Sequence, residues 1–181
     1  MRRILLVLLA VVLIGSVASA QSMAKSGQWG IQTALGVGQS TAPLIVQNVG
    51  AKFFATDDIA IRVEAGLTSY SPPGGGNSTM GYAFGAGFEY HLADMGKGNV
   101  SPYVGLGVGY GGYSVSGGTN LPANIIVQGF FGGEYFFSSN FSWAGQIGLG
   151  FQSQSNVGGT TSSASTIGTA SGTMIFTWYM N

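Results

Sequence analysis

Eight stretches of period-two alternation predict an all-β protein, an eight-stranded antiparallel up-and-down transmembrane β-barrel. Three observations carry this. The chain begins with a segment of export type, no later stretch can form a membrane-crossing helix, and the small-residue face of each alternating segment holds too few polar side chains to meet bulk water. Composition agrees. Of 181 residues 45% are apolar and 7% are charged, six cations against six anions, where ordinary soluble domains carry roughly 25% charge. So little basic charge excludes a nucleic-acid surface, and the high apolar content with low net charge argues against disorder. The absence of cysteine excludes a disulfide scaffold, a cysteine-ligated zinc, a thiol nucleophile and a lipidated N-terminal cysteine.

Residues 1–20 run from Arg2 and Arg3 through the apolar stretch Ile4 to Ile14 to the small triplet Ala18-Ser19-Ala20. This is the order of a secretory signal peptide, with cleavage expected before Gln21. The apolar run is shorter than the ~20 residues of a permanent anchor helix. Residues 21–181 then form one barrel domain. Its charges are Lys25, Lys52, Arg62 and Lys97 against Asp57, Asp58, Glu64, Glu89, Asp94 and Glu134, four against six, or −2.

The strands are expected at Gln28–Gly38, Pro43–Ala55, Ile59–Tyr70, Thr79–Leu92, Ser101–Ser116, Asn124–Phe137, Phe141–Gln154 and Thr166–Met180. In the first, Trp29, Ile31, Thr33, Leu35 and Val37 oppose Gly30, Gln32, Ala34, Gly36 and Gly38. In the fourth, Met80, Tyr82, Phe84, Ala86, Phe88, Tyr90 and Leu92 oppose Gly81, Ala83, Gly85, Gly87, Glu89 and His91. The fifth sets Val104, Leu106, Val108 and Tyr110 against Gly105, Gly107, Gly109 and Gly111. A soluble sandwich would turn the second face to water, yet that face is mostly glycine. A barrel in lipid reverses the assignment, with bulky residues outward and small or polar ones inward, and closure pairs every backbone group.

With both ends in the periplasm, the outer loops are Gln39–Ala42, Ser71–Ser78, Gly117–Ala123 and Ser155–Ser165, and none contains a charged residue. The periplasmic turns are Thr56–Asp58, Ala93–Val100 and Ser138–Asn140, which hold Asp57, Asp58, Asp94 and Lys97. A weak repeat precedes each turn: Lys52-Phe53-Phe54, Glu89-Tyr90-His91-Leu92 and Glu134-Tyr135-Phe136-Phe137, one inward charge and then aromatics. Rings at strand ends suit the girdle at a lipid–water boundary, and Trp29, Phe53, Tyr90, Tyr135, Phe137, Trp143, Phe176 and Trp178 are the expected girdle residues.

The segments Lys52 to Arg62, Ser101 to Tyr110 and Glu134 to Phe137 resemble hairpins of the small bacterial outer membrane β-barrel domain family related to OmpA and OmpX, and the resemblance spans residues 28 to 180. It implies a monomeric barrel in the bacterial outer membrane, surrounded by outer-membrane lipid and inserted by the barrel-assembly machinery. Members usually end in an aromatic residue, whereas Phe176-Thr177-Trp178-Tyr179 is followed here by Met180 and Asn181. With no further domain expected after residue 181, anchoring to peptidoglycan is not expected.

Candidate chemistry is sparse. Gly107-Val108-Gly109-Tyr110-Gly111-Gly112 fits a dinucleotide fingerprint but lies inside one strand, without the helix N-terminus that would hold a pyrophosphate. No cofactor is expected. His91, the single histidine, points inward beside a turn without a nucleophile elbow, and with one nearby carboxylate it lacks the ligands for a metal. More informative are the inward charges Lys52, Arg62, Glu64, Glu89 and Glu134, all expected near the periplasmic end. An eight-stranded barrel has room only for side chains, so these five are expected to form one paired network. It serves either as a structural plug or as the constriction of a narrow, gated, porin-like path for small solutes. Above it, Gly36, Gly38, Gly81, Gly105, Gly107, Gly109, Gly148 and Gly150 are expected to leave space for water. The expected function is non-enzymatic, structural or surface-interacting, in the cell envelope, with the small-solute channel as the alternative.

Overall fold

The computed structural model describes residues 25–37, 47–71, 77–92, 98–117, 124–155 and 163–180. Eight antiparallel strands close into one barrel in simple chain order. They are β1 Trp29–Val37, β2 Gln47–Phe54, β3 Ile59–Tyr70, β4 Thr79–His91, β5 Val100–Val115, β6 Asn124–Ser138, β7 Phe141–Ser155 and β8 Ser163–Met180. Strand β1 closes the ring against β8, with Trp29 opposite Met180 and Leu35 opposite Met174. Expected and observed strands agree closely; β3 matches at both ends, and β8 begins three residues before the expected Thr166. Residues 1–24, which include the expected signal peptide, lie outside the described residues, as do 38–46, with Gly38 and the expected start of β2.

Alternation sets the two faces as expected. Ile31, Val63, Leu67, Phe84, Leu106, Val108, Ile147 and Leu149 are all exposed on the outside. The buried set consists of inward residues such as Gln32, Ala34, Phe54, Tyr103, Phe130 and Tyr179. An exterior this continuously apolar is unlike that of a soluble monomer and fits a lipid-facing belt. Two irregularities adjust the register. One lies between Phe136 and Ser138 on β6. The other lies on β8, where Gly172 pairs with Ile147 but Ala170 already pairs with Gly148, so Ser171 is an extra residue that shifts the pairing register by one.

Local side chains shape the closed end. Thr56 Oγ1 accepts from the backbone N–H of Ile59 at 3.0 Å, fixing the β2–β3 turn. At the β6–β7 turn, the Asn140 side chain donates to the Tyr179 carbonyl at 3.2 Å while Tyr179 N–H donates to the Asn140 carbonyl at 2.8 Å. The segment before β1 ties both turns together: Ser26 N–H donates to Asp57 Oδ1 at 2.7 Å and Gln28 Nε2 donates to the Ser139 carbonyl at 2.9 Å. Gly27 makes the entry to β1 with φ +82°, a conformation that a side chain would strain.

Inward glycines serve mainly as sockets for large neighbours on the adjoining strand. Gly87 lies opposite Arg62 and Gly85 opposite Glu64; a methyl group would stand 2.9 Å from Arg62 Nε at Gly87 and 2.8 Å from Glu64 Cγ at Gly85. Gly105 carries the Phe130 ring, and a methyl group at Gly132 would lie 2.6 Å from the Tyr103 hydroxyl. Gly132→Ala is therefore expected to destabilise the barrel by about 1–3 kcal/mol, the usual cost of overpacking. Gly133→Ala, on the outer face with nothing within 4 Å, is the matched control in urea unfolding.

Candidate functional site

The repeat read from the sequence places one inward polar residue, one outward ring and one inward ring at the ends of β2, β4 and β6. These are alternate strands running toward the same end of the barrel. The structure adds a fourth copy on β8, where Thr177 and Tyr179 are buried and Trp178 is exposed between them. Four strands thus contribute to two stacked layers inside the lumen.

The ring layer is formed by Phe54, His91, Phe136 and Tyr179. Ring centroids are 5.0 Å apart for Phe54 and His91, 6.0 Å for Phe54 and Tyr179, and 5.8 Å for Phe136 and Tyr179. Spacings of this kind add about 0.5–1.5 kcal/mol per pair beyond burial. The charge layer centres on Lys52, whose Nζ lies 2.6 Å from Glu89 Oε2 and 2.7 Å from Glu134 Oε2. The second Glu89 oxygen accepts from Arg62 Nη1 at 3.0 Å, and the same nitrogen donates to Gln146 Oε1 at 2.8 Å. Glu134 Oε1 also accepts from the Tyr179 hydroxyl at 2.5 Å and from the Ser142 hydroxyl. The Arg62 guanidinium lies 4.4 Å from the centre of the Phe130 ring, a cation–π contact.

Lys52, Arg62, Glu89 and Glu134 are only 2%, 4%, 1% and 0% exposed, so each depends on its partners for solvation. Two cations meet two carboxylates and the layer is neutral. Here the expectation of five charges in one network is corrected. Glu64 stands outside it, half-buried, with no ion pair or hydrogen bond among the described residues. Its strand position turns it inward as expected, but one inward position further from the turns than Arg62, where it faces the socket at Gly85.

His91 is also better supplied than the sequence suggested. Two carboxylates flank it, and one donor atom each from Glu89, His91 and Glu134 lie within 4.8 Å of one another. The Lys52 ammonium sits between the two carboxylates, so a cation of the chain's own already balances them. Ser101 Oγ lies 2.8 Å from His91 Nδ1, and His91 Nε2 lies 3.3 Å from Glu89 Oε2. This serine–histidine–carboxylate chain resembles a hydrolytic triad in composition. All three residues are buried, however, and neither Ser101 nor His91 is part of the wall of the lumen cavity.

Beyond Arg62 and Gln146, toward the β3–β4 and β5–β6 connections, the lumen opens into a cavity of about 350 Å³. Glu64, Asn48, Asn124, Gln128, Thr68 and Thr173 supply its polar wall. Of the glycines expected to leave space here, Gly81, Gly107 and Gly109 border it, with Tyr113 and Thr68 lying over Gly81. Gly105 does not, because Phe130 covers it, and Gly148 and Gly150 are not part of its wall.

The aromatic positions lie on the outer face as expected. Trp29, Phe53, Tyr90, Tyr135, Phe137, Trp143 and Trp178 are exposed, and Phe176 is half-buried. Cross-strand register joins several into a band near the turns: Trp29 opposite Phe53, Tyr135 opposite Trp143, and Trp143 opposite Phe176. Sequence reading missed Tyr103, Phe130, Ser142, Gln146 and Tyr179 as lumen residues. Parity was the available signal, since Phe130 shares the face of Glu134 and Tyr103 that of Gly105.

No family model matches the sequence, and no curated protein is significantly similar to it. Among solved structures, the chain is similar to the N-terminal β-barrel domain of OprF from Pseudomonas aeruginosa, with 14% identity and a TM-score of 0.52 over 86% of this chain and 98% of that one. It is also similar to the outer membrane protein OprG from Pseudomonas aeruginosa, with 11% identity and a TM-score of 0.51 over 87% of this chain and 98% of that one. At these identities the likeness is one of fold: a closed, antiparallel β-barrel.

Proposed function

We propose that this chain is a non-enzymatic protein of the bacterial outer membrane, exported by its N-terminal segment and serving a structural or surface-interaction role in the cell envelope. The observation that carries this reading is the two-layer plug. A neutral network of four buried charges lies against a layer of four rings, and the cavity above ends at Arg62 and Gln146. A barrel of this size has interior volume for side chains or one small ligand, not for an open channel. Ser101 is buried and lies outside the wall of the lumen cavity, which supports a non-enzymatic reading. The outer aromatic band acts as the girdle at the periplasmic boundary, outer-membrane lipid surrounds the apolar belt, and the barrel-assembly machinery inserts a monomer.

One observation favours the alternative, a narrow gated channel: Arg62 both borders the cavity and pairs with Glu89, so exchange of its partner would move the cavity floor. Planar-bilayer recording separates the readings. The wild-type barrel and Arg62→Ala are both expected to be silent, because Tyr103, Phe130 and the ring layer remain. Steady single-channel steps in the wild type that grow in Arg62→Ala would replace the plug with the channel.

A further inference from the structure

The open half of the lumen holds acceptors that no donor among the described residues answers. Lys52 and Arg62 are matched by Glu89 and Glu134, which leaves Glu64 as the uncompensated lumen charge among the described residues. Asn48 Oδ1 and Asn124 Oδ1 have no hydrogen-bond partner among the described residues and are shielded as they stand, while both residues border the same cavity as Glu64, so that a rotation about the Cβ–Cγ bond turns each oxygen toward it. A buried acceptor left unmet costs about 1–3 kcal/mol, so two of them beside an unpaired carboxylate favour a ligand rich in donors.

Register places the three groups around one chamber. Asn48 is opposite Gly66, Gly66 opposite Ala83, Ala83 opposite Gly111 and Gly111 opposite Asn124, one continuous cross-strand row. The two asparagines therefore come from strands four apart in a ring of eight, on facing walls, with only glycine and alanine between them along the row. Glu64 is the next inward residue below Gly66 on β3. We propose that this cavity is a binding site for a small organic cation, a primary ammonium or guanidinium group on a short carbon chain.

A bare metal ion suits the site poorly. Its oxygen ligands must converge to about 2.0–2.6 Å, which acceptors on opposite walls cannot do. An ammonium offers three donors and a guanidinium five, and a chain of a few carbons can span the apolar stretch of wall that Ile126 and Ile175 supply. The volume of about 350 Å³ is at the small end for ligand pockets, about 300–1,000 Å³. Arg62 at the floor repels a second cation, but its charge is matched by Glu89 and its face is covered by Phe130. It therefore holds the bound group at the level of Glu64.

The test is a titration of the full barrel in zwitterionic micelles with n-butylammonium, followed by NMR at the Asn48 and Asn124 side-chain amides and the Glu64 carboxyl carbon. Saturable shifts are expected, at least about tenfold weaker in Glu64→Gln. Gly109→Leu supplies an independent variant. A methyl group there meets nothing nearer than 3.7 Å, so leucine fills the cavity without changing its charge and should abolish the shifts, while strand dispersion confirms that either variant is folded. No saturation, equal affinity in Glu64→Gln, or the same response to sodium or n-butanol at equal concentration would overturn the proposal. The proposal rests on the barrel's geometry and not on the plug: a conducting barrel that still saturates keeps the site, and a silent barrel that binds nothing loses it alone.

Discussion

Lys52→Ala is expected to be the most damaging single substitution in the lumen, costing about 3–5 kcal/mol, the range for removing one member of a buried charge pair. The cost arises from what remains. Glu89 Oε2 and Glu134 Oε2 both lose the ammonium that lay within 2.7 Å, and two buried carboxylates then face each other with Arg62 as the one remaining lumen cation among the described residues. The Lys52 side chain also lies between the Phe54 and Tyr103 rings, with Nζ 4.9 Å and 5.5 Å from their centres, so truncation leaves a void as well. Lys52→Met with Glu134→Gln separates the two contributions. That pair keeps the volume and removes one charge of each sign, leaving Arg62 with Glu89. It should recover most of the loss in urea unfolding from phospholipid vesicles. If Lys52→Ala unfolds at the wild-type urea concentration, the ammonium is not the centre of the network.

Leu149→Arg is expected to cost about 2–4 kcal/mol in a bilayer, the value for an arginine on the lipid face at mid-depth. Leu149 is exposed on the outer face, with Gly129 opposite it across the strand pair. It lies six residues beyond the outward Trp143, the proposed interface residue, along β7. At ~3.3 Å per residue on a strand tilted about 40°, that is about 15 Å along the barrel axis, half of the ~30 Å hydrocarbon layer. The same substitution at Phe137, at the strand end, is expected to cost about 0–1 kcal/mol because the guanidinium reaches the interface there. Equal small costs at both positions would mean that the outer face does not meet lipid.

Much of the barrel was legible because period two is a local property. A strand turns successive side chains to opposite faces whatever its neighbours do, so Trp29, Ile31 and Leu35 could be separated from Gly30, Gln32 and Ala34 from the sequence alone. The outward direction of the aromatic residues was legible for the same reason, as was the inward direction of Lys52, Arg62, Glu64, Glu89 and Glu134. Where alternation is interrupted, the reading weakened: the extra residue at Ser171 changes the pairing register of β8 against β7, and nothing local announces it.

What parity cannot supply is height. Two inward residues on different strands meet only if the stagger between those strands brings them level, and stagger is set by closing all eight strands into one ring. Closure brought Lys52, Glu89 and Glu134 from β2, β4 and β6 into contact and left Glu64 outside the network, facing Gly85. It also decided which glycines are sockets and which are open wall, since Gly105 meets the Phe130 ring while Gly109 faces space. The sequence by itself determined an all-β chain of eight strands, the face each residue takes where alternation is unbroken, and the scarcity of charge on the outer face. Only the tertiary structure decided which inward residues share a level, because that depends on the register of the whole ring and not on any one strand.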